Sequence, residues 1–104
     1  MIVFPPEGPA PRDDRPATML VHDEPNIRVV SFHLLPGQEV LPHTSESTVL
    51  VQVIEGSGTF VGETGEVRLE PGSTAVYAPR EVHSMRASDG ERLRFLAIIT
   101  PRPG

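Results

Sequence analysis

The sequence contains no cysteine. Disulfides, zinc–thiolate clusters and thiol nucleophiles are thereby excluded, which suits a reducing compartment. It contains no lysine either. All nine cationic residues are arginines, scattered from Arg12 to Arg102 without a run or stripe, and 14 acids bring the net charge to −5. Binding to a phosphate backbone needs a basic patch, so nucleic acid is not an expected partner. Long apolar runs are missing as well. Val49 to Ile54 and Phe95 to Ile99 fall far short of a spanning helix, and Met1-Ile2-Val3-Phe4 is stopped by Pro5-Pro6 with no basic start or small-residue cleavage site. The expectation is a soluble cytoplasmic protein with no membrane partner.

What the chain has in quantity is punctuation. Twelve prolines and nine glycines break it at close intervals, and no window of helical length combines freedom from breakers with apolar residues at three-to-four spacing. Residues 1–17 read as an extended N-terminal arm, since Pro5 to Pro16 holds five prolines, three acids and two arginines. Residues 18–104 read as one domain of short strands: Thr18 to His22, Ile27 to Leu35, Thr48 to Glu55, Thr59 to Val61, Glu66 to Leu69, Ser73 to Ala78, Val82 to Ala87 and Arg92 to Thr100. Turn chemistry such as Pro36-Gly37, Gly56-Ser57-Gly58, Pro71-Gly72 and Ser88-Asp89-Gly90 separates them. Evenly spaced short strands of this kind predict an all-β antiparallel sandwich or barrel.

Two segments carry a more specific signal. Pro36-Gly37-Gln38-Glu39-Val40-Leu41-Pro42-His43-Thr44-Ser45, continuing through Val49 to Glu55-Gly56, resembles the first cupin motif, in which a glycine precedes a histidine by six positions. Pro71-Gly72 through Ala78-Pro79-Arg80-Glu81-Val82-His83 resembles the second, with its glycine, strand, proline-rich bend and closing histidine. The motifs and their spacer cover about half of the chain. The hairpin from Gly56 to Pro71 is short, as in small single-domain microbial cupins, and the resemblance implies a cupin jelly-roll barrel. Arg80 stands where that family tends to place another glycine, which predicts an altered loop there.

The resemblance also implies a metal site, and here the chain departs from it. The family's usual set is a histidine, a second histidine two residues on, an acid near the next strand, and the histidine of the second motif. In this chain those positions are His43, Ser45, Val49 and His83. Two imidazoles remain, expected to face each other across the cavity. Three readings stay open. A divalent ion (nickel, copper, zinc, iron or manganese, not distinguishable) is held weakly by His43 and His83 with help from water, a ligand or a group such as Glu46, Glu39 or Gln52. Alternatively, the histidines hydrogen-bond or exchange protons with an organic molecule in a metal-free pocket. Or they are satisfied interior groups of a barrel that binds no ligand. A small-molecule binding protein is favoured over a metal-dependent oxygenase or isomerase, because oxygen activation needs a firmly held metal with open positions.

Alternation along strands fills in the pocket. Met85 shares a face with His83, and Val49, Val51 and Val53 share the face of the missing acid, so His43, Ser45, Val49, Val51, His83 and Met85 are the expected ligand-binding residues. Leu50, Gln52 and Ile54 then face outward, and Leu93 to Ile99 carries large side chains on both faces. An outer sheet face this apolar predicts a homodimer, with the proline-rich arm as the rival cover. His22 and His33 are not expected to add to the site, and His33 is expected at the surface or at an interface rather than as a ligand. Ser84 points away from His83, and no acid orients a base beside Ser45, so a serine hydrolase is not expected.

Overall fold

The computed structural model describes residues 1–4 and 7–103; Pro5 and Pro6 of the expected arm and Gly104 of the expected barrel domain lie outside them. The chain forms nine strands: β1 (Ala17–Glu24), β2 (Ile27–Leu34), β3 (Glu39–His43), β4 (Thr48–Gly56), β5 (Gly58–Gly62), β6 (Gly65–Leu69), β7 (Thr74–Tyr77), β8 (His83–Ala87) and β9 (Leu93–Thr100). Among the described residues no helix forms, as the breaker density requires. Every strand pairing is antiparallel. A five-stranded sheet in the order β1-β2-β9-β4-β7 packs face to face with a four-stranded sheet in the order β3-β8-β5-β6, the two-layer arrangement of a jelly roll.

β4 shows why the layers form. Val49, Val51 and Val53 are buried, whereas Gln52 and Ile54 are exposed and Leu50 is partly so, the period-two pattern of a strand with one face on the core. From β9, Phe95 enters the same core, stacked parallel on Phe32 of β2 at 4.6 Å and edge-on to Phe60 of β5 at 5.4 Å. These three rings join the sheets at the centre of the sandwich. No helix of the described residues is long and apolar enough to cross a membrane.

The strand missing from the sequence reading is β3. It is short and mostly exposed, it contains Pro42, and its register with β8 shifts between Val40 and His43. Strand periodicity is therefore absent from the sequence, and a proline without a ladder donor is tolerated because β3 lies at a sheet edge.

Of the two placements expected for His33, the surface one does not hold. His33 is buried on the outer face of the five-stranded sheet, and its Nδ1 lies 3.0 Å from the carbonyl oxygen of Pro9. Residues 7–16 cross that face: a Cβ on Gly8 would come within 2.8 Å of the Ser31 hydroxyl, and the Gln38 side-chain amide donates to the Arg12 carbonyl at 2.6 Å. A surface histidine is buried by a segment far away in sequence, which alternation along β2 alone cannot foresee. His22 is at the surface, 2.9 Å from the Glu24 carboxylate.

The Arg80 loop keeps the shape a glycine would give. Arg80 itself adopts a left-handed φ of 68°, a conformation that is unfavourable for a side chain with a Cβ. Its N–H donates to the Ser45 carbonyl at 2.7 Å, and its guanidinium meets Glu46 at 2.9 Å. Those contacts tie the bend before β8 to the loop between β3 and β4.

Candidate functional site

His43 closes β3 and His83 opens β8. The strands are hydrogen-bonded neighbours, and the two residues are direct partners in the register. Their rings therefore touch side by side, with centroids 4.1 Å apart at 62°. The expectation of imidazoles facing each other across the cavity is corrected accordingly: the motifs meet at one sheet edge rather than on opposed walls. His83 is buried and His43 is exposed, so the pair runs from the interior to the mouth.

Backbone carbonyls fix both tautomers. Nδ1 of His43 lies 2.9 Å from the Leu41 oxygen, and Nδ1 of His83 lies 2.9 Å from the Glu81 oxygen. A carbonyl only accepts, so each Nδ1 carries the proton and each neutral ring has its lone pair on Nε2. Among the described residues neither Nε2 has a hydrogen-bond partner.

The pair borders a cavity of about 130 Å³ at one end of the sandwich. All six residues expected to bind a ligand line it: His43, Ser45, Val49, Val51, His83 and Met85. Phe32 and Phe95 form part of the wall. Apart from the two imidazoles and Ser45, the lining is apolar. The Ser45 Oγ accepts the Ser47 N–H at 3.1 Å, which leaves the hydroxyl hydrogen free to donate.

Two residues of the site escaped the sequence reading. Tyr77 stacks on His83 at 4.5 Å and 20°, and it pairs with Val49 in the β4–β7 register. Alternation along β7, which sets Ala75 and Tyr77 on one face, was the signal that could have found it. Burial, then the nearby charge of Glu81, push the Tyr77 hydroxyl up to about 12, so it stays a neutral phenol. Glu81 accepts the backbone N–H groups of Ala78 at 2.9 Å and Glu63 at 3.0 Å, and these donors hold its carboxyl below the usual range. No local pattern announces that role, because the Glu63 donor comes from a different hairpin.

Burial lowers the His83 pKa from its ordinary value; the Glu81 carbonyl and carboxylate oppose this and His43 adds to it. The folded state thus holds the ring neutral at pH values where the unfolded chain takes up a proton. Stability is full above the unfolded value, about 6.5, and is lost as pH falls through the window below it. Thermal melts at about pH 7.5 and about pH 5.5, a range in which Glu81 stays ionised, should show a lower midpoint in acid, and His83→Phe should flatten that slope.

None of the helper groups suggested by the sequence joins the pair. Glu46 is exposed and paired with Arg80, Glu39 lies beside Arg86 on the outer face of the four-stranded sheet, and Gln52 is exposed on the outside of β4. Among the described residues there is no group of three or more histidines or acids that could hold a metal. Two imidazoles without a third donor do not make a firm four-ligand centre.

Known proteins agree with this architecture. An RmlC-like cupin from Desulfovibrio desulfuricans is 30% identical and superposes with a TM-score of 0.83, over 97% of this chain and 96% of that one. A double-stranded β-helix domain protein from Klebsiella pneumoniae is 26% identical with a TM-score of 0.89, covering 98% and 92%. The polyketide cyclase RemF from Streptomyces resistomycificus shares the fold at 21% identity and a TM-score of 0.77, covering 86% and 68%. No curated protein matches the sequence. The model of the AraC-like ligand-binding domain family matches residues 29–103, from β2 through β9. The chain therefore belongs to the AraC-like ligand-binding domain family, built as a small cupin.

Proposed function

We propose that this chain is a binding module that takes a small organic molecule into the cavity bordered by His43 and His83. The observation that carries the reading is an apolar hollow whose lining includes His43 and His83, two imidazoles with their lone pairs on Nε2. Membership of a family described as ligand-binding supports it. At about 130 Å³ the cavity is well below the roughly 300–1,000 Å³ of drug-sized sites, so the ligand is fragment-sized. Binding of single-ring aromatics, measured by ligand-observed NMR, is expected for the parent and should weaken at least ~tenfold in Val51→Phe, which fills the hollow. Undiminished binding in a folded Val51→Phe would place the ligand elsewhere.

A second reading rests on the same lone pairs: a divalent ion held at His43 and His83. With two imidazoles as its protein ligands, the ion would be sub-stoichiometric on isolation and readily stripped by a chelator. Residues at Ser45 and Val49 that offer no firm coordination favour binding over metal-dependent oxygenase or isomerase chemistry.

The proposal includes a homodimer. The arm crosses the outer sheet face near Ser31 and His33, yet Ile2, Val3 and Phe4 remain exposed beside Leu20 and Ile54, around a hollow of about 840 Å³. Val76, opposite Leu50 in the register, adds to the same face. The arm therefore enlarges the exposed apolar surface, and closed two-fold pairing is the commonest way to bury such a face. Light scattering at micromolar concentration should give a dimer mass, falling to the monomer in Leu50→Glu with Ile54→Lys. A monomer mass for the parent would refute the pairing.

A further inference from the structure

We infer that the ligand of this cavity is a neutral single-ring aromatic hydrocarbon, held by carbon contacts alone. The inference rests on the cavity being the binding site, as proposed above, and it concerns the ligand's chemistry.

Three polar side chains border the hollow, yet the surface it offers is almost entirely carbon. His43, His83 and Ser45 therefore turn carbon toward it. Their own contacts keep them so: each imidazole Nδ1 is tied to a backbone carbonyl, the His83 ring is stacked on Tyr77, and the Ser45 oxygen accepts the Ser47 N–H. A polar group on a ligand would leave its bonds to water behind and meet no partner on this wall. A charged group fares worse, because the lining holds no arginine or carboxylate to balance it.

Volume and wall chemistry give the body. An apolar cavity of about 150 Å³ stays dry and takes up benzene, so one of about 130 Å³ admits one ring and little else. Phe32 and Phe95, stacked parallel, and Met85 belong to the wall. Aromatic and sulfur contacts both favour an aromatic partner, which selects a flat ring over a saturated one of the same size.

Methyl-detected NMR of the unsubstituted protein, titrated with benzene, phenol, benzoate and benzylamine, tests the assignment. Val51 and Met85 line the cavity and report binding in it, whereas Leu20 and Ile54 lie beside the larger hollow on the outer sheet face and report binding there. Benzene should shift the signals of Val51 and Met85. Phenol should do so with at least roughly tenfold weaker affinity, since its hydroxyl would be buried without a partner, and the two ions should leave both signals unmoved. Phenol binding as tightly as benzene, or a shift of Val51 and Met85 by benzoate or benzylamine, overturns the hydrocarbon assignment and keeps the cavity as a binding site. Shifts at Leu20 and Ile54 alone, or at none of the four residues, overturn both.

Discussion

Ser45→His combined with Val49→Glu is expected to turn a two-ligand site into a firm metal centre, with affinity for nickel or zinc rising by well over ~100-fold in calorimetry. A partner that merely orients a ligand is worth about 10- to 100-fold in metal affinity, and here two direct ligands are added. The expectation has a geometric basis: Ser45 and Val49 line the same cavity as His43 and His83, so the new donors start on the right wall. The parent sets the baseline. A divalent ion offered to the parent should be readily lost to a chelator and should bind less well in acid, because protons compete for the ligand nitrogens. Without metal, the variant should melt below the parent, because Val49 is buried and a carboxylate there lacks a partner. Saturating metal should raise its midpoint, by about 4 kcal/mol of stability at a thousand times Kd. A folded double variant with unchanged affinity would show that the four positions do not converge on one point. A full equivalent of metal surviving chelation in the parent would reveal a ligand beyond the two histidines.

The largest loss of stability from one added methyl group is expected at Gly56. It ends β4 with φ at 76°, and a Cβ there would lie 1.6 Å from the carbonyl oxygen of Arg92. Backbone cannot yield as a side-chain tip can, because Gly56 is locked opposite Leu93 in the β4–β9 register. Left-handed strain and the clash together should cost Gly56→Ala roughly 2–5 kcal/mol, enough to unfold a marginally stable domain. Gly72→Ala is the control. Its φ is 90°, but nothing lies within 4 Å of the added Cβ, so only the backbone term of about 1–2 kcal/mol applies. Urea denaturation of both variants checks the difference, and equal losses would mean that the Arg92 carbonyl moves aside freely.

The legible part of this molecule was the part governed by neighbours in sequence. Proline and glycine punctuation marks the turns, and period-two burial picks out Val49, Val51 and Val53 as one face, because each strand displays its own pattern wherever it ends up. Spacing within the two motifs likewise put His43, His83, Ser45 and Met85 on one cavity. Pairing between distant segments was not legible. That β3 is hydrogen-bonded to β8, so that the histidines touch rather than oppose, depends on register across the 39 residues between them. His33 looks like a surface residue until Pro9 covers it. Arg80 looked like a disruption of its loop, yet the backbone accepts a left-handed arginine because the Ser45 carbonyl and Glu46 hold it there.

The edges of the two sheets bear on how copies of this chain meet. A free strand edge is a template for unlimited stacking. Here β3 carries Pro42, β6 exposes Glu66 and Arg68, β7 has four residues, and β1, the longest edge, is kinked by a bulge between Leu20 and His22. Each device spoils ladder growth in the direction that would otherwise propagate into fibres. Blunted edges stop copies from queuing along a shared ladder, so crowding this protein should yield no amyloid-like thread.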